Sequence, residues 1–173
     1  LVMMWEENPD RDWKFQTGDD EHWKEQNLND SKWRTLTVPG FWEVQGFPDY
    51  NGYAWYRLRF RVPDEFAAKR QILLLGNIDD FDETYLNGKL VGKTGTMGRD
   101  VTPNQSTEYS QLRAYTILPG QILRGQENVL AVRVFDGFKD GGIYRGPIGL
   151  VSRDRFMKWK NAEKSEWFDW FVK

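Results

Sequence analysis

The chain of 173 residues has no cysteine and a single histidine, His22. Without cysteine there are no disulfides and no thiolate metal sites, although the redox compartment stays open. One histidine puts a multi-histidine metal centre out of reach and leaves a Ser–His–Asp triad dependent on His22 alone. That residue sits between Glu21 and Trp23 in a polar segment and reads as a surface side chain. No serine occupies a G-x-S-x-G elbow. Gly92, Gly95 and Gly98 recur every three residues, which fits neither a dinucleotide fingerprint nor a phosphate loop and reads as flexible loop. Neither sign of charge dominates, with 24 basic against 26 acidic residues, so the basic footprint that nucleic-acid binding demands is missing. No run approaches the roughly 20 apolar residues of a membrane helix. Leu1–Trp5 is apolar but lacks a basic start and a full apolar core, so it does not read as a signal peptide, and any leader is expected to have been removed.

Aromatic residues are what the chain has in excess: they make up 16% of it, with nine tryptophans, against a mean hydropathy of −0.72. With 39% hydrophobic content the length suits one domain with its own core, the aromatics carrying that core and part of a surface. The organising stretch is Val38–Pro63. From Trp55 onward it alternates, Tyr56, Leu58, Phe60 and Val62 on one side and Trp55, Arg57, Arg59 and Arg61 on the other, which predicts a half-buried strand. Before it, three glycines and two prolines interleaved with Phe41, Trp42, Phe47, Tyr50 and Tyr53 predict a surface loop on the sheet, a natural binding face.

Short strands account for most of the remainder. Asp12–Thr17 reads as a strand closed by Gly18-Asp19-Asp20, Glu21–Lys32 as a turn or short helix, and Thr35–Val38 as a strand stopped by Pro39-Gly40. Ile72–Leu75 is a buried strand. Phe81–Leu86 and Lys89–Gly92 flank Asn87-Gly88, a hairpin signal because both central residues of a type I′ turn need positive φ. Lys93–Ser110 is a long polar excursion. Ala114–Leu118, Val129–Asp136 and Ile148–Val151 are further strands, with one helical turn expected at Gln121–Leu123 and a second long loop at Gly137–Pro147. The pattern predicts an all-β fold, an antiparallel β-sandwich or jelly roll. Asp154 is placed to cap a C-terminal amphipathic α-helix in which Phe156, Trp159, Glu163, Trp167 and Trp170 share one side.

Two kinds of residue offer chemistry. The acids gather as Asp19-Asp20-Glu21, as Asp79-Asp80 with Asp82-Glu83, and as Asp136 with Asp140. Such groups form turns, hold sugar hydroxyls, or bind calcium, for which Asp79, Asp80 and Asp82 are metal candidates although no twelve-residue calcium loop is present. A glycosidase pair, two carboxylates roughly 5 to 9.5 Å apart, is not decidable from order in the chain. Trp42, Tyr50, Tyr53 and Tyr144 could stack on the C–H face of a sugar while Asn51, Asp136, Asp140 and Arg145 pair with its hydroxyls. For Trp13, Trp33 and Trp55 a core role is expected.

Several motifs stand in an order that resembles one family. Trp13-Lys14-Phe15, Gly18-Asp19, Asp30-Ser31-x-Trp33, Val38-Pro39-Gly40-x-Trp42-Glu43 and Gly52-Tyr53-Ala54-Trp55-Tyr56-Arg57 are followed by Leu75-Gly76-x-Ile78-Asp79-Asp80 and Tyr85-Leu86-Asn87-Gly88-x-x-Val91-Gly92. Asn128–Val134 and Gly141-Gly142-Ile143-Tyr144-Arg145-Gly146-Pro147 complete the set. Over about residues 12–151 the chain resembles the N-terminal sugar-binding domain of family-two glycoside hydrolases. The resemblance implies a galactose-binding-like jelly roll, and it implies no catalysis here, because the catalytic glutamates of those hydrolases lie in a separate barrel domain. It nominates Asp136, Asp140, Trp42 and Glu43 as residues approaching the sugar. Similar jelly rolls occur in bacterial carbohydrate esterases and in the extracytoplasmic part of membrane-bound signalling proteins.

Together these readings predict a jelly-roll domain over residues 1–153 and a helix or linker over residues 154–173. The expected role is a non-catalytic carbohydrate-binding module of a larger exported bacterial protein. Its ligand contacts would be Trp42, Glu43, Tyr50, Asn51, Asp136, Asp140, Tyr144 and Arg145. No cofactor is expected, with calcium admitted. The expected partners are a carbohydrate and further domains of the same chain. An extracytoplasmic sensor or interaction domain is the alternative, since the Trp/Phe-rich end at Phe171-Val172-Lys173 suits a membrane interface. Asn29-Asp30-Ser31 and Asn104-Gln105-Ser106 would be glycosylation acceptors only in a eukaryote.

Overall fold

The structure, a computed structural model, describes residues 2–4, 13–98 and 107–162. In chain order the strands are β1 (Val2–Met4), β2 (Trp13–Thr17), β3 (Arg34–Leu36), β4 (Gly52–Phe60), β5 (Gln71–Asp79), β6 (Phe81–Leu86), β7 (Lys89–Thr94), β8 (Arg113–Ile117), β9 (Asn128–Asp136) and β10 (Gly142–Ser152). A single turn of helix, α1 (Asp64–Ala67), follows β4, and α2 (Arg153–Asn161) follows β10. All pairings are antiparallel and make two sheets, β1-β10-β5-β8 and β3-β2-β4-β9-β6-β7. One buried cluster draws Tyr56, Leu58, Leu130 and Val132 from the larger sheet and Leu73, Leu75, Ile148 and Leu150 from the smaller. Alternate residues of both sheets thus close on a common core, as period-two patterning requires.

Local chemistry explains several elements. Asn87 and Gly88 take φ values of 52° and 79° between β6 and β7, the turn that an Asn-Gly pair specifies. At Gly76, with φ of 60°, an added Cβ would lie 1.7 Å from the Arg145 carbonyl oxygen, so only glycine lets β5 pass β10 where their register shifts.

The structure departs from the sequence pattern in five places. Arg57, on the outward side of β4 with the core residue Trp55, is fully buried, because the segment 20–33 folds across both. There Trp23 packs edge-on to Trp33 and Trp55, and Asp30 meets the Arg57 Nε at 2.7 Å. The loop expected to run to Pro147 ends at Gly141, and β10 begins at Gly142, which places Tyr144 and Arg145 on a strand. Gln121–Leu123 forms turns instead of helix. β1, which the sequence did not suggest, adds to the edge of β10. The cap of α2 is the Ser152 hydroxyl, which accepts from the Arg155 N–H, in place of Asp154.

Phe156 and Trp159 of α2 lie against Ile72, Leu74 and Val151 on the outer side of the smaller sheet. The expected positions Glu163, Trp167 and Trp170 lie outside the described residues, as do Asn104-Gln105-Ser106 and the middle of the Lys93–Ser110 excursion. No helix among the described residues is long and apolar enough to cross a membrane.

Candidate ligand-binding site

The ends of β5 and β9 and the starts of β6 and β10 converge. Register places Asp79 opposite Gly142, Phe81 opposite Phe135, and Asp136 opposite Gly52. The segment 40–43 is laced to the start of β10: the Gly40 N–H donates to the Ile143 carbonyl at 2.8 Å, the Trp42 N–H to the Gly141 carbonyl at 3.1 Å, and the Gly141 N–H to Glu43 Oε1 at 3.0 Å. The sequence permits this closeness through Gly141, where a Cβ would stand 2.1 Å from the Trp42 ring.

Trp42 therefore forms the floor beneath the loop. Its ring is fully buried, stacks near Tyr56 and Phe15, and donates its indole N–H to the Tyr50 carbonyl at 3.1 Å. Stacking of Trp42 on a sugar is ruled out by that burial. Tyr50 is likewise structural. Its ring packs edge-on to Trp42 and against the core, while its hydroxyl donates to the Tyr53 carbonyl at 2.6 Å and accepts from the Gly18 N–H. Trp13 and Trp55 are core residues and Trp33 is half-buried.

The acids are what the fold gathers. Ligand oxygens of Asp79, Asp80 and Asp136 lie within 4.8 Å of one another. Asp80 Oδ2 accepts from the Gly137 N–H and Asp136 Oδ1 from the Phe138 N–H, whereas Asp136 Oδ2 is buried without a hydrogen-bond partner. Burial, then the Asp80 carboxyl and the charge of Asp136, pushes the Asp79 pKa up to about 8. Burial, reinforced by Asp80, Glu43 and Asp140, pushes Asp136 up to about 7. Glu43 is raised as well, chiefly by burial. Five carboxyl groups thus share one electrostatic neighbourhood.

Asp82, two residues from Asp80, has no such role. It accepts from Arg113 Nε at 2.9 Å, from the Tyr115 hydroxyl and from the Thr84 hydroxyl, which consumes both oxygens and removes it as a metal candidate. Around the acids lie Asp140, exposed on the 137–141 loop, and Tyr144, whose ring stacks on Phe41 at 4.9 Å and whose hydroxyl donates to the Tyr109 carbonyl. Arg145 is exposed at the irregularity in β10, and Asn51 is exposed just before Gly52. Sequence reasoning missed Phe138, 43% exposed directly after the acids, and Tyr109, 46% exposed. A lone aromatic in the polar run Gly137-Phe138-Lys139-Asp140-Gly141 was the available signal for the first.

These features define a mostly β domain of two antiparallel sheets with an acidic cluster, flanked by exposed aromatic side chains, where strand ends meet. No protein-family model and no curated protein matches the chain. Among solved structures it is similar to a β-glucuronidase from Bacteroides uniformis, at 24% identity and a TM-score of 0.66 over 87% of this chain and 17% of that one. It is also similar to a β-glycosidase from Bacteroides vulgatus, at 26% identity and a TM-score of 0.62 over 81% of this chain and 19% of that one. A glycosyl hydrolase family 2 member from Bacteroides cellulosilyticus matches at 21% identity and a TM-score of 0.64, over 86% of this chain and 20% of that one. The likeness is one of fold, and the chain corresponds to a domain-sized part of these enzymes.

Proposed function

We propose that this chain is a non-catalytic carbohydrate-binding module of jelly-roll type, part of a larger exported bacterial protein that acts on glycans. The observation that carries this reading is the convergence of Glu43, Asp79, Asp80, Asp136 and Asp140 next to Phe138, whose backbone N–H is held by Asp136 and whose side chain is exposed, on a fold shared with glycosidases. Carboxylate oxygens accept hydrogen bonds from sugar hydroxyls in fixed directions, and an aromatic face covers the apolar C–H side of the ring. Stacking passes from Trp42 to Phe138, with Tyr144 at the edge. Asp140, exposed on the 137–141 loop, keeps the hydrogen-bonding role, whereas Asp136 is wholly buried and shapes the site by holding the Phe138 N–H. Neutral sugars fit this pocket better than uronates, whose own carboxylate would face like charge.

Isothermal titration calorimetry against neutral and acidic mono- and oligosaccharides tests the reading. A neutral sugar should bind saturably, and Phe138→Ala should weaken it at least tenfold while the far-ultraviolet spectrum is unchanged. Absence of binding across the panel, or affinity indifferent to both Phe138→Ala and Asp140→Asn, would sink it.

A further inference from the structure

We propose that Asp79, Asp80 and Asp136 form a calcium site built into the floor of this pocket. The fold spends three strand ends to bring the carboxylates together, and it buries two of them, Asp80 and Asp136. A buried carboxylate in a protein is ordinarily paired with a cation or several donors. Here Asp136 Oδ2 has no partner although its side chain is wholly shielded from solvent.

Arg113 acts on Asp79 only through its charge and pairs with none of the three carboxylates. Arg113 spends its guanidinium on the Asp82 carboxylate and on the backbone carbonyls of Asp80, Glu108 and Gln111. Among the described residues no Lys or Arg side chain hydrogen-bonds to the carboxyl groups of Asp79, Asp80 or Asp136. The other charged groups acting on the cluster are Glu43 and Asp140, both of the same sign. A missing positive charge is therefore the simplest completion of the arrangement.

Spacing admits calcium. Calcium takes six to eight oxygens at about 2.3–2.6 Å, so two of its ligands stand no further apart than about 5 Å. The three carboxylate oxygens fall inside that limit, all within 4.8 Å of one another. Magnesium demands near-octahedral geometry at about 2.1 Å and dehydrates reluctantly, so an all-carboxylate site inside the fold suits the more adaptable calcium ion better. The carboxylates are supplied by different strand ends, so an ion bound to all three would tie β5, β9 and the turn into β6 together.

The site stands whether or not a sugar binds, so its test contains none. The purified chain is freed of metal with EDTA and titrated at pH 7.5 with calcium chloride, by calorimetry and thermal unfolding, and with terbium, by tryptophan-sensitised luminescence. Calcium should bind one to one, raise the Tm in a saturable way that magnesium does not match, and displace terbium. Asp136→Asn and, separately, Asp79→Asn should each weaken calcium at least tenfold, while Asp64→Asn, an exposed acid elsewhere, leaves it unchanged. Circular dichroism confirms that each variant is folded, and the wild-type displacement titration stands without any variant. No saturable calcium binding up to about 10 mM, well above the weakest extracellular modules, overturns the proposal, as does binding that both cluster variants retain.

Discussion

Asp80 and Asp82 stand two residues apart around the start of β6, and the protein treats their charges in opposite ways. Asp82 is wholly buried against an Arg113 that is equally buried, and Tyr115 and Thr84 supply the remaining donors. Asp80 faces Asp79 and Asp136, and its carboxylate accepts from the backbone N–H of Gly137. The first is a closed structural ion pair, complete as it stands. The second is a group of carboxyls with no protein cation paired to it, which protons neutralise at low pH and which at higher pH is left for something outside the polypeptide. Burial by itself does not mark function; burial without a counter-charge does.

The sharpest way to break the contrast is to remove the counter-charge from the closed pair. Arg113→Met leaves Asp82 charged and buried, and breaking such a pair destabilises by about 3–5 kcal/mol, read as a lower denaturant midpoint. Adding Asp82→Asn to that variant should recover part of the loss, since the uncompensated charge goes with it. A smaller deficit follows from Tyr115→Phe, which deletes a hydroxyl donating to Asp82 at 2.8 Å and should destabilise by about 1.5–3 kcal/mol.

The open cluster should respond with the other sign. Asp79 and Asp136 hold protons in the folded state up to about pH 8 and about pH 7, whereas the unfolded chain releases them near the ordinary carboxylate value of about 4. Between those limits the folded state binds more protons than the unfolded one, so stability falls as pH rises from about 4 to about 8. In EDTA, Asp136→Asn should therefore be more stable than wild type at pH 8, by about 1 kcal/mol after allowance for solvent screening. Its advantage should shrink towards pH 5. His22 is common to both proteins and cancels from the comparison. Asp19, whose pKa burial raises but Arg133 and Trp55 pull below its ordinary value, loses its contribution only under about pH 4. An Asp136→Asn protein that is less stable than wild type at pH 8 would contradict the unneutralised cluster.

What the sequence made legible divides along the same line. Strands β2 to β9 and the Asn87-Gly88 hairpin are local, written in alternation and in residues that accept positive φ, and they appear near where the pattern places them, whereas β10 begins earlier and β1 was not suggested. Contacts between distant segments were hidden. Alternation on β4 presents Arg57 as a solvated side chain, and only the 20–33 segment lying over it supplies Asp30. A tryptophan between glycines and prolines reads as exposed, yet Trp42 is buried because Gly141, about a hundred residues on, leaves room for its ring. Asp82 and Asp80 look equivalent in a run of acids; the register that brings Arg113 to one and Asp136 to the other separates them. The family resemblance nominates Asp136, Asp140, Trp42 and Glu43; the three acids share one electrostatic neighbourhood, while Trp42 is buried beneath the loop.

The smallest effect probes how far the open cluster reaches. Asp140 is exposed on the 137–141 loop, and its charge acts on both Asp136 and Glu43. Asp140→Asn removes one like charge through solvent, where screening is strong, so at pH 8 and low salt it should stabilise by only a few tenths of a kcal/mol. Because the interaction passes through water, 0.5 M sodium chloride should erase the difference, whereas the Asp136→Asn advantage, set mainly by burial, should persist. Equal salt sensitivity in both variants would mean that Asp136 is wetter than its surroundings indicate, and the two acidic groups would then differ in degree only.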